Sequence, residues 1–172
     1  VRCLGLDPGR VQDPLLGDVG SADVLYDLGS GDGRLVITAA KRHGARGVGV
    51  ELQAQLVEMA REQAHRESVA NRASFVAGDL FETDLRGVNV VTMYLLPEVN
   101  LQLMPRLLAQ LKPGARIVSH DYDLGPWPFD EMIELALAEK MVGPLGRSRV
   151  FLWLVPADVR VLSAKDLFLN QS

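Results

Sequence analysis

The chain has 172 residues, of which 48% are hydrophobic and 23% are charged, and its formal net charge is −4. This length and composition fit one globular domain and exclude a disordered or collagenous chain. The slight acidity disfavours bulk electrostatic binding of nucleic acid, and no apolar run approaches the roughly 18 residues of a membrane span.

The first 22 residues predict an irregular segment, because they contain six Gly or Pro residues and no sustained hydrophobic period. They show neither the basic n-region nor the apolar h-region of a signal peptide. Cys3 is the single cysteine, which excludes an internal disulfide framework and indicates a reducing compartment. We therefore expect a cytoplasmic protein, and the initial Val in place of Met indicates a trimmed or processed chain.

From residue 23 onward, short β-prone runs alternate with amphipathic helical segments. The predicted strands are residues 24–28, 47–51, 74–77, 88–95, 115–120 and 149–155, and the predicted helices are residues 34–43, 53–67 and 97–111. Connections of about 2–6 residues predict an α/β fold with an open, doubly wound parallel sheet and right-handed crossovers. The nearly all-apolar run 88–95 supports this fold, since a parallel strand is covered on both faces. Pro105 is expected to bend the third helix.

The last third of the chain departs from this alternation. Residues 121–130 predict a loop rich in Pro, Gly and aromatic residues. Residues 131–141 contain helix-favouring Ala, Glu and Leu, but Ile133, Leu135 and Leu137 alternate as in a strand. We predict a strand, which the Gly/Pro segment 143–146 would join to the final strand as a hairpin.

A glycine loop with the sequence GSGDG occupies residues 29–33, between the first predicted strand and the first helix. Glycine permits positive φ angles there and lets a ligand approach the N–H groups at the helix N-terminus. The dinucleotide fingerprint requires glycine where Arg34 stands, and the P-loop requires a Gly-Lys-Ser/Thr that is absent. The spacing therefore disfavours a nicotinamide dehydrogenase.

Acidic residues stand at the ends of the first three predicted strands. Asp27 precedes the glycine loop, Glu51 ends the second strand 24 residues later, and Asp79 follows the third strand. The carboxyl ends of parallel strands meet at one edge, so these acids are expected to share a crevice at the switch point of the sheet. Carboxylates repel a pyrophosphate and suit a cationic group, and an acid at the second strand end commonly binds a ribose diol. A nucleoside that carries an amino acid and a positive charge fits this crevice better than a dinucleotide does.

Three segments resemble the signature motifs of class I S-adenosylmethionine-dependent methyltransferases: residues 27–33 (DLGSGDG), 50–52 (VEL) and 78–80 (GDL). The resemblance covers residues 23–156, with an irregular segment 1–22 before it and a C-terminal extension 157–172 after it. It implies a three-layer, Rossmann-like sheet of seven strands in the order 3-2-1-4-5-7-6, with the last strand antiparallel.

The resemblance also implies how S-adenosyl-L-methionine is bound. Asp27 and the glycine loop would face its methionine part, Glu51 would hold the ribose hydroxyls, and Asp79 with Leu80 would contact the adenine. The cofactor-binding residues predicted in this way are Asp27, Leu28, Gly29, Ser30, Gly31, Glu51, Leu52, Asp79, Leu80 and Tyr94.

A narrower resemblance rests on residues 27–34, 94–97 (YLLP) and 119–121 (SHD). These segments are similar to a small group of bacterial and archaeal methyltransferases, which in turn is similar to the mitochondrial seven-strand lysine methyltransferases. The implied activity is N-methylation of a protein lysine. Members usually carry a helical segment rich in Pro and Thr before the first strand, and residues 1–22 do not match it, so the sequence does not indicate whether an N-terminal lid covers the cofactor.

Tyr94 and Asp121 are the predicted catalytic residues, because they fall at the carboxyl ends of the fourth and fifth strands. Many amine and nucleobase methyltransferases place Asn or Asp followed by prolines where Tyr94 stands. The absence of that segment here counts against nucleobase N-methylation. A lysine amine must be neutral to react, so the Tyr94 hydroxyl or the Asp121 carboxylate is expected to orient it and help remove a proton. His120, Asp121 and Asp123 have the composition of a metal set, but a structural or substrate-contact role is favoured and no metal is predicted.

Two alternatives stay open. One is a small-molecule or RNA methyltransferase with the same cofactor site, although the acidic charge weakens the RNA option. The other is a non-catalytic protein that binds S-adenosylmethionine or a partner. The sequence does not indicate an oligomeric state.

Overall fold

The computed structural model of the chain describes residues 16, 18–136 and 147–158. The described strands are β1 Val24–Leu28, β2 Arg46–Glu51, β3 Ala73–Ala77, β4 Val90–Met93, β5 Arg116–His120, β6 Glu131–Ala136 and β7 Arg147–Leu154. The described helices are α1 Arg34–His43, α2 Ala54–Arg66 and α3 Pro97–Gln110.

The strands form a seven-stranded sheet in the order β3-β2-β1-β4-β5-β7-β6. Strands β1 to β5 pair in parallel, and β7 is antiparallel to both β5 and β6. The predicted doubly wound α/β fold and its strand order are confirmed. The parallel half fits this topology because each of its crossovers has room for a helix or a long connection.

The end of the sheet bears out the strand predicted from residue 131 onward. Register pairs Ile133 with Val150 and Leu135 with Ser148, so the alternation of apolar residues reports a strand rather than a helix. The remainder of that prediction, residues 137–141, lies outside the described residues, as does the turn 143–146. The predictions about residues 1–15 and 159–172 also lie outside them.

The fourth strand is shorter than the apolar run predicts, since β4 contains only four residues of the predicted 88–95. Its pairing with β1 ends where Leu28 lies opposite Met93, because the chain after Leu28 turns into the glycine loop. At its other end, the Asn89 side chain accepts a hydrogen bond from the Val24 N–H at 2.9 Å. Tyr94 therefore follows the strand instead of belonging to it.

Buried side chains form two clusters, one associated with α1 and α2 and the other with α3. Val36, Val57 and Phe75 belong to the first cluster, and Leu103 and Trp153 belong to the second. The fold therefore has three layers, and the carboxyl ends of the parallel strands are left to build a site. None of the described helices is both long enough and apolar enough to cross a membrane.

Candidate active site

The loop between β1 and α1 is built on glycine conformations that other residues rarely adopt. Its three glycines all have positive φ angles: Gly29 at +79°, Gly31 at +54° and Gly33 at +77°. A Cβ on Gly33 would lie 2.4 Å from the Phe75 ring, whereas a Cβ on Gly31 would meet nothing within 4 Å. Gly33 is thus required for packing, and Gly31 leaves open space beside the backbone.

A cavity of about 420 Å³ opens beside this loop, at the carboxyl ends of β1, β4 and β5. Its lining includes Asp27, Gly29, Ser30, Gly31, Tyr94 and His120. Its volume lies within the range of small-molecule sites. The Ser30 hydroxyl is buried and has no hydrogen-bond partner among the described residues, so its hydrogen bond requires a partner that these residues do not supply.

Asp27 is a buried acid in the wall of this cavity, with 4% of its surface exposed. The Thr92 hydroxyl donates a hydrogen bond to its Oδ1 at 2.7 Å. Burial raises the pKa of Asp27 to about 7; the Thr92 hydrogen bond opposes this rise, and the charges of Asp32 and Glu51 add to it. A cationic ligand group beside Asp27 would favour its charged form.

Glu51 reaches the glycine loop from the end of β2. Its Oε2 accepts a hydrogen bond from the Gly31 N–H at 3.0 Å, and its Oε1 accepts one from the Gln53 N–H at 2.9 Å. The structure therefore brings two of the three predicted acids, Asp27 and Glu51, to the same loop.

Five of the predicted cofactor residues lie outside the lining of this cavity: Leu28, Glu51, Leu52, Asp79 and Leu80. Leu28 is fully buried in the core, and Leu52 at the end of β2 is 77% exposed. Asp79 is exposed, and its Oδ1 accepts a hydrogen bond from the Phe81 N–H at 2.8 Å. Leu80 is half-buried against the core cluster on the α3 side. A ligand that contacts these residues would have to extend from the cavity across the ends of β2 and β3.

The two predicted catalytic residues meet at the rim formed by the ends of β4 and β5. The pKa of Tyr94 is raised to about 12, first by desolvation and then by its hydrogen bond to Asp121 and the charge of that carboxylate. Tyr94 therefore keeps its proton at neutral pH. The Tyr94 ring packs on the His120 ring with 4.3 Å between centroids, and His120 lines the cavity beside it.

Asp121 is buried, with 1% of its surface exposed, and hydrogen bonds hold its carboxylate in place. Its Oδ1 accepts hydrogen bonds from the Ser148 hydroxyl at 3.2 Å and from the Arg149 N–H at 3.1 Å. Asp123, by contrast, is exposed, and its Oδ1 accepts a hydrogen bond from the Gly125 N–H at 2.9 Å. No group of three or more His, Cys, Asp and Glu within the described ranges is arranged to hold a metal ion.

Sequence reasoning missed Thr92 and Ser148, which contact the two buried acids. Thr92 carried a weak signal, because it is a hydroxyl in a nearly all-apolar strand. Ser148 carried none, because it reaches Asp121 only through the antiparallel pairing of β5 with β7. The structural role of Asn100 was missed as well: this fully buried residue of α3 donates to the carbonyls of Tyr122 and Asp123, both at 3.3 Å, and fixes the turn after β5.

The residues at the site fit S-adenosylmethionine. The open space at Gly31 leaves room for ligand atoms beside the loop, and the Ser30 hydroxyl there lacks a hydrogen-bond partner among the described residues. The carboxylates of Asp27 and Glu51 suit a cationic nucleoside. This strand order, together with a glycine loop and acids at the ends of β1 and β2, defines a class I S-adenosylmethionine-dependent methyltransferase domain.

Comparison with known proteins agrees with this class. The sequence model of the ANTKMT methyltransferase domain matches residues 27–131, and the chain belongs to this family. A protein-lysine N-methyltransferase of Saccharolobus islandicus is 43% identical over 68% of this chain and 73% of its own length. The adenine nucleotide translocase lysine N-methyltransferase of Mus musculus is 38% identical over 74% of this chain, which spans 56% of that protein.

A solved structure is also similar along most of the chain. The crystal structure of an RNA methyltransferase from Salinibacter ruber, in complex with S-adenosyl-L-homocysteine, is 48% identical and has a TM-score of 0.75. The match covers 82% of this chain and 86% of that one. The cofactor prediction is confirmed at the level of the family, which uses S-adenosylmethionine.

Proposed function

We propose that this chain transfers the methyl group of S-adenosylmethionine to the side-chain amine of a protein lysine. The observation that carries the proposal is the pairing of Tyr94 with the buried Asp121 at the rim of the cofactor cavity. A carboxylate behind a neutral hydroxyl attracts an ammonium group and lets the hydroxyl oxygen accept its hydrogen bond. The named activities of the archaeal and mouse relatives support the same acceptor.

The bound cofactor supplies an electrophilic methyl group on a sulfonium. The chain supplies position: the glycine loop, Asp27 and Glu51 bind and orient the cofactor, and the aromatic rim admits the amine and limits water. Holding the two reactants in line can lower the barrier by several kcal/mol without covalent participation of the protein. Tyr94 and Asp121 bind the acceptor amine and orient it towards the cavity.

RNA is the second candidate acceptor, because the similar structure from Salinibacter ruber is described as an RNA methyltransferase. RNA binding depends on neutralising several phosphates with Lys and Arg. Here Asp27 and Glu51 meet at the glycine loop, Asp121 lies behind the rim, and the net charge of the chain is −4. The local charge therefore favours a cationic acceptor over a polyanion.

The test is methyl transfer from radiolabelled S-adenosylmethionine into a cell extract, followed by separate protease and nuclease digestion. We expect label that protease releases and nuclease leaves, with methylated lysine in the acid hydrolysate. Glu51→Ala should lose most of this transfer, while Glu62→Ala, which changes an exposed acid on α2, should keep it. Label that nuclease removes and protease leaves would replace the lysine proposal with RNA.

A further inference from the structure

The turn after β5 begins at Asp121 and is held from two sides at the rim of the cavity. On the β7 side, the Asp121 N–H donates to the Arg149 carbonyl at 2.7 Å, and Asp121 Oδ1 accepts the Arg149 N–H at 3.1 Å. On the α3 side, the amide nitrogen of Asn100 donates to the carbonyls of Tyr122 and Asp123, both at 3.3 Å. The turn therefore depends on a side chain from a helix as well as on contacts with a strand.

Ser119, near the end of β5, takes part in the same contact. Its hydroxyl donates to the Tyr122 carbonyl at 2.6 Å and accepts a hydrogen bond from the Asn100 amide at 3.2 Å. Asn100 and Ser119 are both fully buried, with 0% of their surface exposed. The Tyr122 carbonyl thus accepts two hydrogen bonds from donors that are shielded from water.

The chemistry of an amide explains why asparagine stands at position 100. Carbonyl oxygens only accept hydrogen bonds, so the Asn100 nitrogen must face the turn and its Oδ1 must point away from it. Oδ1 is buried without a hydrogen-bond partner among the described residues, which carries a desolvation cost that an apolar side chain would avoid. The amide is therefore accounted for by the carbonyls that it binds, and not by the packing of α3 on the core.

The turn after β5 carries groups of the acceptor site. Asp121 has a φ angle of +65°, which is uncommon for a residue other than glycine, so the turn needs neighbouring contacts to keep this conformation. The Asp121 carboxylate accepts the hydrogen bond of Tyr94, and the centroid of the Tyr122 ring lies 6.5 Å from that of the Tyr94 ring. A shift of the turn would thus move the groups that face the amine. None of the described side-chain hydrogen bonds of Asn100 reaches the glycine loop.

We propose that Asn100 is a positioning residue for the methyl acceptor. It holds the turn after β5 so that Asp121 and Tyr122 stay against Tyr94. This inference rests on the proposed function, in which Tyr94 and Asp121 orient the lysine amine. A misplacement of about 1 Å can lower a rate about 10²-fold, so a partly released turn reduces turnover without removing any group that touches the amine. Cofactor affinity is retained, because the glycine loop is bonded separately to the end of β2.

The first experiment compares Asn100→Ala with Leu107→Ala on polylysine with saturating radiolabelled S-adenosylmethionine. Leu107 is the control because it is a fully buried residue of the same helix, about two turns further along, whose truncation lowers stability through packing. At a temperature where both variants are folded, we expect Asn100→Ala to lose about tenfold in kcat and to bind S-adenosylhomocysteine within about twofold of the wild type. Leu107→Ala should keep the wild-type kcat. A kcat that Asn100→Ala retains, a kcat that both variants lose equally, or a cofactor affinity that falls with kcat would overturn the proposal.

Ser119→Ala is a milder test of the same contact, and it decides the question if Asn100→Ala does not fold. It removes the hydroxyl that donates to the Tyr122 carbonyl and leaves the Asn100 amide in place. We expect a loss of about threefold in kcat with cofactor affinity unchanged, because the second donor to that carbonyl remains. An unchanged kcat in this variant would contradict the proposal.

A second measurement follows the turn without an acceptor. The chain has three tyrosines, so carbon-13 spectra of protein labelled at tyrosine Cζ contain three signals, which Tyr94→Phe and Tyr122→Phe assign. Asn100→Ala should shift the signals of both Tyr94 and Tyr122, because the hydrogen bond of the first and the position of the second depend on the turn. Leu107→Ala should shift neither signal, and unchanged signals in Asn100→Ala would refute the inference. If the wild type labels neither polylysine nor protease-sensitive material, the lysine proposal fails, whereas the spectra still decide whether Asn100 positions this turn.

Discussion

Asp27 is a buried acid whose negative charge lowers the stability of the ligand-free protein. The side chain is buried in the wall of the cavity, and the Thr92 hydroxyl is the hydrogen-bond donor to its Oδ1. One hydrogen bond does not offset the loss of hydration, which is why the pKa rises to about 7. Residues kept in this unfavourable state are concentrated at functional sites.

Asp27→Asn should therefore stabilise the protein while it weakens cofactor binding. The folded-state pKa lies above the unfolded value near 3.8, so the destabilisation is small near pH 4, grows as the pH rises towards 7 and is complete above it. Without ligand, we expect the free energy of unfolding to exceed that of the wild type by on the order of 2 kcal/mol at pH 8 and by less at pH 5. Urea denaturation at both pH values measures this difference.

The binding half of that prediction needs calorimetry with S-adenosylhomocysteine, in which Asp27→Asn should bind at least about tenfold more weakly. Asparagine still accepts the Thr92 hydrogen bond, so the comparison isolates the charge. A variant that is less stable than the wild type at pH 8 would show that the carboxylate is better solvated than its burial indicates.

Gly31 and Gly33 separate ligand contact from folding within a single loop. Alanine at Gly33 would place its Cβ 2.4 Å from Phe75 Cε1 and 2.8 Å from the Ala60 Cβ, so Gly33→Ala should lower the unfolding free energy by more than about 2 kcal/mol. Alanine at Gly31 meets open space and bears only a backbone strain of about 1 kcal/mol at φ +54°. Gly31→Ala should fold and bind S-adenosylhomocysteine about tenfold more weakly in calorimetry. If instead Gly31→Ala lost stability and Gly33→Ala bound S-adenosylhomocysteine more weakly, Gly31 would face away from the ligand.

At the scale of elements, the local sequence pattern predicts the observed last residue of β1, β2, β3 and β5, and β4 is the strand whose end differs most from its prediction. Helix α1 was predicted with its observed bounds, because Gly33 and Gly44 delimit it and both have positive φ. Strand β4 ends early because its partner β1 turns away at the glycine loop, which no local pattern reports. The strand character of β6 was visible only in the alternation of apolar residues, since its composition also favours helix.

Helix α3 contains Pro105, which removes one N–H from the helix and leaves the Leu101 carbonyl without its usual i+4 donor. The side chain of Pro105 is exposed, so packing does not require it. We expect Pro105→Ala to raise the unfolding free energy by about 1–2 kcal/mol, because the restored helix bond outweighs the added freedom of the unfolded chain. Affinity for S-adenosylhomocysteine should not change, since Pro105 lies roughly two turns along α3 from the rim.

The control for this prediction is Gln102→Ala, an exposed position in the same helix that already has its N–H. Its effect on urea denaturation should stay within about 0.5 kcal/mol. If Pro105→Ala destabilises the protein, the ring is packing against residues that its exposure does not reveal.

At the scale of the whole molecule, the sequence predicts which residues share one edge of the sheet, but it does not predict the hydrogen bonds that orient them. Asp27, Glu51 and Tyr94 could be placed together because parallel strands end at a common edge. The contacts that orient them could not, because Ser148 reaches Asp121 across an antiparallel pairing 27 residues apart along the chain. Sequence spacing does not encode the register of such a pair, and a hydroxyl at that position resembles any other serine on a strand.

Residues from several strands meet at this edge, so the cofactor site exists only when the sheet is folded. Glu51 on β2 holds the glycine loop that follows β1, and Tyr94 and His120 line the cavity from the ends of β4 and β5. A ligand seated there contacts elements from the middle of the sheet, so it binds the folded chain and not the unfolded one. Its binding must then stabilise the protein as a whole.

S-adenosylhomocysteine at about 100 times its Kd should raise the melting temperature by about 5–10 °C, which corresponds to about 2.7 kcal/mol for a chain of this size. NAD at the same concentration should leave the melting temperature unchanged, because the acids at the loop repel its pyrophosphate. Glu51→Ala should reduce the shift at equal ligand concentration, and Glu62→Ala should retain it. An equal shift with NAD would mean that the loop tolerates a pyrophosphate, and it would remove the electrostatic argument for a cationic nucleoside at this site.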